Sequence, residues 1–335
     1  MKIVIAQIGL GKWGINLLRN FSALDDCLVK YACDLSTSRL NDLQANYPQT
    51  KFIDHYDAIL NDPEVAGVVV ATPAPAHYEV AKKILLAGKH VFIEKPITLD
   101  LAQAEELVAL AQKVNKKIMV GHLLLYHPAI VKLKELIAAG ELGQVFYVYT
   151  QRLNLGTIRS TENVMWSLAP HDISIILHLL SPQAQSVSVL GSAFIQKGIE
   201  DVVFLNIHFA AGEIGHVHVS WLDPTKTRRT IVVGSKKMAI FDEMAEGNTL
   251  VMIDKGVDTN RNFRTYEEFL QLRFGREQKI EVGKDEPLKL ECQHFLDCVR
   301  NNREPLSSGQ NGVDVLKILA AGERSLKNGG RNELL

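Results

Sequence analysis

The sequence predicts an α/β protein: an N-terminal doubly wound parallel sheet, followed by a C-terminal α/β domain built on an open, mostly antiparallel sheet. Three observations carry that prediction. Through about residue 121, short apolar runs alternate with amphipathic ones, as parallel strands joined by right-handed helical crossovers require. From Val145 onward the pattern turns to apolar/polar alternation with short turns, as in His216-Val-His218-Val-Ser220, which suits antiparallel strands with one buried face. Finally, Gly9-x-Gly11-x-x-Gly14 follows the first apolar run directly and opens an amphipathic one.

In order, Ile3, Val4, Ile5 and Ile8 read as a strand buried on both faces, and residues 15–21 as the helix after it. A second strand is expected over 28–33. A helix over 36–47 follows, with Ser36 or Thr37 as N-cap. Strands at 52–53, 67–71, 90–93 and 117–120 alternate with helices at 56–60, 78–87 and 101–114. A helix over 122–139 carries Pro128 as a kink or as its true start. Strands are expected at 145–155, 185–194, 202–209, 215–222, 229–234 and 238–241, interrupted by a helix over 169–180. Helices at 290–301 and 311–327 close the chain, and 254–264 is expected to be a mobile loop. The expected domains are 1–121 and 122–335, with the C-terminal helices able to pack back on the first. Apolar strands such as 202–207 predict a homodimer or homotetramer through the second sheet.

Each glycine of the first turn has a mechanical reason. Gly9 permits the tight exit from the strand, Gly11 lets backbone approach a pyrophosphate, and Gly14 lets helix and strand pack closely. The helix N-terminus adds free N–H groups and a positive dipole end. Leu10, Lys12 and Trp13 complete this loop. Asp34 ends the second strand about 20 residues on, where a carboxylate accepts ribose hydroxyls and repels a 2′-phosphate, so NAD is favoured over NADP. Ser36, Ser38 and Arg39 soften that preference.

The chain has 335 residues, 47% of them hydrophobic, and a formal charge of −1. This suits two domains and gives no footprint for nucleic acid or an anionic membrane. No apolar run spans a bilayer, and Met1 leads straight into a strand, which implies a cytoplasmic protein. Cys27, Cys33, Cys292 and Cys298 lack metal or disulfide spacing, and His216 and His218 lack a third partner, so no metal is expected.

Taken together, Gly9-x-Gly11-x-x-Gly14, Asp34, Ala71-Thr-Pro-x-x-x-His77, Glu94-Lys95-Pro96 and Glu291-x-x-x-Phe295 with Pro305 resemble the glucose-fructose oxidoreductase / inositol dehydrogenase / MocA family. The resemblance spans nearly the whole chain and implies a nicotinamide-dependent sugar oxidoreductase with a Rossmann domain. The stretch from Gly121 to Pro128, Arg152-Leu-Asn-Leu-Gly-x-x-Arg159 and Trp166-x-x-x-Pro-His-Asp172 look like a branch resembling UDP-N-acetylglucosamine 3-dehydrogenases.

Oxidising a secondary alcohol needs a hydride acceptor, a base and a positive group beside the forming alkoxide. The resemblance assigns Lys95 to the alkoxide and His171 to the base, with Glu94 holding the lysine or the cofactor. Thr72, Pro73 and His77 are expected beside the cofactor. The family's aspartate four residues before the histidine is here Ser167. Substrate candidates are Arg152, Arg159, Arg228 and Arg229 for a diphosphate, Asn154, and Tyr126 and Trp166 for ring stacking, with Leu123 to Leu125 as an apolar wall. Two alternatives stand beside this reading: an NAD-dependent glycosidase-type reaction, and a dinucleotide sensor without turnover.

Overall fold

The structure is a computed structural model that describes residues 2–180, 183–246, 249–259 and 270–335. The chain divides into two compact units, 1–126 with 285–316, and 127–284 with 317–335.

Among the described residues of the first unit, β1 (Ile3–Ile8), β2 (Cys27–Cys33), β3 (Lys51–Ile53), β4 (Gly67–Val70), β5 (His90–Ile93) and β6 (Ile118–Val120) form one parallel sheet in the order β3-β2-β1-β4-β5-β6. Every residue of β4 and β5 is buried, which is why these strands read as continuous apolar runs. Helices α1 (Gly14–Ser22), α2 (Thr37–Gln44), α3 (Asp57–Asn61), α4 (His77–Leu86) and α5 (Leu101–Lys113) supply the crossovers. Strand order reverses between β1 and β4, so the crevice at their carboxyl ends is the place for a ligand. A late segment completes this core. In α8 (Pro287–Asn301), counted after α6 and α7 below, Phe295 meets Phe21 and Phe92 edge-on at centroid distances of 6.1 and 5.8 Å.

The second unit holds α6 (Pro128–Ala138), α7 (Val164–Leu179) and a sheet of β7 (Val145–Leu153), β8 (Ala184–Ser192), β9 (Val202–Phe209), β10 (Ile214–Ser220), β11 (Thr227–Gly234), β12 (Met238–Asp242), β13 (Thr249–Thr259), β14 (Leu270–Ile280) and β15 (Glu333–Leu334). Their order is β14-β13-β12-β11-β7-β10-β9-β8-β15. Neighbours are antiparallel except β7 and β10, which run parallel because the chain leaves β7 through α7 and two further strands. The division between units falls within α9 (Gly309–Lys327), at Leu316.

Three expectations are corrected. Helix α7 begins at Val164, not 169, because the Asn163 carboxamide accepts the Trp166 N–H at 3.2 Å and caps it. Pro170 therefore lies inside the helix rather than at its start. Pro128, by contrast, is the first residue of α6, so no helix runs through it. Residues 254–259 are not a loop; they belong to β13, where 255–259 pair with β14 after an irregularity at Asp254, and Arg273 bridges to Asp254 and Asp258. The remainder of that expected loop, 260–264, lies outside the described residues.

Candidate functional site

In the first unit the glycine turn sits where β1 and β4 diverge. A cavity of about 820 Å³ opens there, lined among others by Gly9, Gly11, Lys12, Trp13, Asp34, Arg39, Thr72 and Pro73. Gly9 has φ +97°, and a Cβ there would lie 2.5 Å from the Ala71 carbonyl. A Cβ on Gly14 would lie 2.3 Å from the Gly9 oxygen. Gln7, buried under the turn, ties it down by donating to the Gly9 and Gly14 carbonyls at 3.0 and 2.7 Å. Gly11 differs: no atom lies within 4 Å of its Cβ position. That open cradle, in a loop leading into α1, fits a dinucleotide pyrophosphate.

Asp34 accepts the Leu10 N–H at 2.7 Å, the Ser36 N–H at 2.9 Å and the Arg39 guanidinium at 2.8 Å. Burial works against its charge, but these amides and Arg39 hold its carboxyl below the usual range. An ionised Asp34 at the end of β2 suits a ribose diol. Thr72 adds a covered hydroxyl that has no hydrogen-bond partner, on the wall of the same cavity. The residues present therefore fit NAD.

The turn after β5 carries Glu94, Lys95 and Pro96, with a cis peptide between the last two. The Trp13 indole donates to Glu94 Oε1 at 2.6 Å, and the Lys95 amide to Oε2 at 3.2 Å. Gly121 leaves room for this carboxyl: a Cβ there would lie 2.9 Å from Oε1. Burial pushes Glu94 up to about 7, against the charge of Lys95 and the Trp13 bond. His77 is buried, with Nδ1 2.8 Å from the Pro96 oxygen and Nε2 2.9 Å from the Thr72 oxygen. Its ring links the Thr72 loop, which lines the cavity, to the turn that carries Pro96. His122, which sequence reasoning passed over, bonds Asn311 at 2.6 Å, and burial holds it down at about 4. Tyr126 lies in the core of this unit, its hydroxyl 2.8 Å from Ser307 Oγ.

In the second unit, His171 and Ser167 stand one turn apart on α7, with His171 partly exposed and Ser167 buried. The next residue, Asp172, is buried and receives Arg152 Nε from β7 at 2.7 Å and Nη2 at 3.3 Å. Arg152 also reaches Glu243 at 3.4 Å. Although burial opposes its charge, Asp172 and Glu243 raise the Arg152 guanidinium, while burial raises Glu243. Two of these bonds tie β7 to α7 at Asp172, the residue after His171, and the third goes to Glu243. Arg228 is similarly engaged, bonding Asn154 at 2.8 Å and the Leu153 oxygen at 2.9 Å. Arg229 pairs with Asp242, and Arg159, half-exposed, with Glu162. The Trp166 indole donates to Glu323 at 3.2 Å, and Asn163 to Glu200 at 2.8 Å. Glu243 and Glu323 carried no local motif; only folding brings them to Arg152 and Trp166.

Among the described residues no three His, Cys, Asp or Glu side chains are grouped to hold a metal, and no helix is long and apolar enough to cross a membrane. The four cysteines are free and buried.

Comparison with known proteins places these features. The model of an oxidoreductase family with an NAD-binding Rossmann fold matches residues 3–122, and that of the GFO/IDH/MocA C-terminal domain matches 130–240. The chain is 26% identical to the scyllo-inositol 2-dehydrogenase (NAD(+)) of Bacillus subtilis, over 97% of this chain and 94% of that protein. It is 28% identical to the UDP-N-acetylglucosamine 3-dehydrogenase of Acidithiobacillus ferrooxidans over 78% of each. The crystal structure of that enzyme superposes with a TM-score of 0.84 at 24% identity, covering 98% of this chain and 99% of that one. A protein of gentamicin A biosynthesis, solved with NAD, superposes with a TM-score of 0.82 at 22% identity, covering 100% and 96%.

Proposed function

Because the chain belongs to the GFO/IDH/MocA family of NAD-binding oxidoreductases, we propose that it oxidises the 3-hydroxyl of a nucleotide-linked N-acetylhexosamine. The chain is an NAD-dependent sugar or polyol oxidoreductase of that family. What supports the substrate is the similarity to a UDP-N-acetylglucosamine 3-dehydrogenase over 78% of each chain; what supports the chemistry is the Glu94-Lys95-Pro96 turn at the carboxyl end of β5, next to the strand whose exit lines the dinucleotide cavity.

When bound, NAD supplies the hydride acceptor. Gly9 to Gly14 hold its pyrophosphate, and Asp34 its adenosine ribose. The Lys95 ammonium steadies the forming alkoxide, and the His171 imidazole takes the hydroxyl proton. Arg152 positions His171 through Asp172 and the α7 helix, and of the four arginines considered Arg159 is left nearest to solvent for a substrate phosphate.

The test is NADH formation from a panel of nucleotide sugars and free polyols. UDP-N-acetylglucosamine is expected to be oxidised and inositols not; the reverse overturns the substrate. A cyclic polyol is the second reading, favoured by the near-complete coverage of the inositol dehydrogenase and by the engagement of Arg152 with Asp172. The outer face of the second sheet exposes Tyr147, Leu190, Phe204 and Ile214, which supports a homodimer or homotetramer through that face. A monomeric mass in light scattering would remove that assembly. Four buried free thiols are consistent with a reducing, cytoplasmic setting.

A further inference from the structure

Asp34 stands at the exit of β2, where its backbone N–H donates to the Ile53 carbonyl of β3 at 3.2 Å and fixes its place. Its carboxyl is already crowded with donors. Oδ1 takes the Ser36 N–H at 2.9 Å and Oδ2 the Leu10 N–H at 2.7 Å. One guanidinium nitrogen of Arg39, Nη1, lies 2.8 Å from Oδ1 and 3.0 Å from Oδ2. A carboxylate has about four acceptor directions, and these contacts fill them. A ribose diol, which brings two hydroxyl donors of its own, finds an acceptor here only when one of the present donors withdraws.

The donors differ in what holds them. Leu10 is fully buried in the glycine turn that Gln7 ties down. Ser36 caps α2, its hydroxyl accepting the Arg39 N–H at 3.4 Å and its carbonyl the N–H of the buried Leu40 at 3.1 Å. The Arg39 side chain, by contrast, is 42% exposed and lines the cavity. An ion pair exposed to that degree is weakly held, so Arg39 is the donor that can leave.

We propose that Arg39 is a specificity-determining residue of the cofactor site: it competes with the adenosine ribose for Asp34, and the same guanidinium is the donor for a 2′-phosphate. With NAD the competition is a cost, because the Asp34–Arg39 pair has to open before the diol is accepted. With NADP it is a gain, because the guanidinium exchanges a carboxylate partner for a phosphate and stands between that phosphate and Asp34. Asp34 therefore selects NAD less sharply than its position alone implies, and one side chain moves the two affinities in opposite directions. The inference is independent of which sugar or polyol is oxidised, since no substrate enters it.

Calorimetric titrations of the full chain with NAD and with NADP, in the absence of sugar, test this. Arg39→Met keeps an unbranched stem and removes the charge. NAD should bind it about two- to fivefold more tightly than it binds the wild type, the worth of an exposed ion pair that no longer has to open. NADP should bind it at least about tenfold more weakly, the loss of a charged hydrogen bond. Arg39→Ala, which removes the side chain altogether, should show the same two signs. The gain for NAD should shrink as salt is raised from about 0.01 to 1 M, because the pair that the substitution removes is then screened in the wild type. A guanidinium that only adds positive charge to the cavity, or only packs on the adenine, would make both affinities fall together in Arg39→Met. That result, an unchanged NAD affinity, or a wild type with no measurable affinity for NADP overturns the proposal.

Discussion

Substituting Gly11 and Gly14 by alanine separates the cofactor cradle from the fold that makes it. A methyl at position 14 would stand 2.3 Å from the Gly9 oxygen and 3.2 Å from the Gln7 amide nitrogen that ties the loop down. The contact is with backbone, which cannot rotate away, so Gly14→Ala should cost about 1–3 kcal/mol or more as overpacking. For a unit of this size that lowers the melting temperature by about 2–4 °C per kcal/mol. A methyl at position 11 meets no protein atom within 4 Å, and its backbone is outside the left-handed region. Gly11→Ala should therefore melt at or slightly above the wild-type temperature, since alanine narrows the unfolded ensemble by about 0.4–1 kcal/mol. Its effect falls on the ligand. The methyl occupies the cradle, and an overpacking cost of about 1–3 kcal/mol weakens NAD roughly 5- to 150-fold. Calorimetric titration with NAD and thermal melts of both variants make the measurement. If Gly11→Ala binds NAD as tightly as wild type, or melts several degrees lower, the assignment of the cradle is refuted.

Four further outcomes are expected. Lys95→Ala and His171→Ala should each lower kcat about 10²-fold or more in steady-state assays while the chain stays folded; unchanged turnover in either would remove that residue from the mechanism. Asp34→Ala should weaken NAD and raise the NADP/NAD preference, because the carboxylate that repels a 2′-phosphate is gone while Arg39 remains. Arg152→Ala leaves Asp172 buried and unpaired and should destabilise the protein by about 3–5 kcal/mol in denaturant unfolding. Because the folded Glu94 carboxyl titrates at about 7, above its ordinary value, the fold binds the extra proton between roughly pH 4.5 and 7. The stability carried by protonated Glu94 is complete below that window and lost as pH rises through it, by up to about 1.4 kcal/mol per pH unit. Glu94→Gln should flatten that dependence in melts taken across the window.

The first unit was legible because strands buried on both faces leave continuous apolar runs, and because a phosphate turn needs glycine at fixed spacing. The second was less so. A proline in the middle of α7 reads as a boundary, and a cap such as Asn163 is recognised only once the Trp166 amide is seen to need it. Residues 254–259 look like a loop because Asp254, Gly256 and Asp258 disfavour strands, and β14 supplies the pairing and the Arg273 countercharge that offset this.

The same division holds at the candidate site. The turn from Gly9 to Gly14, Asp34, and the Glu94-Lys95-Pro96 turn were fixed by local rules: backbone geometry, charge at a strand end, and position in a motif. What Arg152 does was not, since an arginine's partners lie wherever the fold brings carboxylates, here Asp172 from a helix and Glu243 from beyond β12. Nor was the ionisation of Glu94. A side chain's charge depends on the water and donors left around it, and burial and hydrogen bonding between distant segments exist only in the tertiary structure.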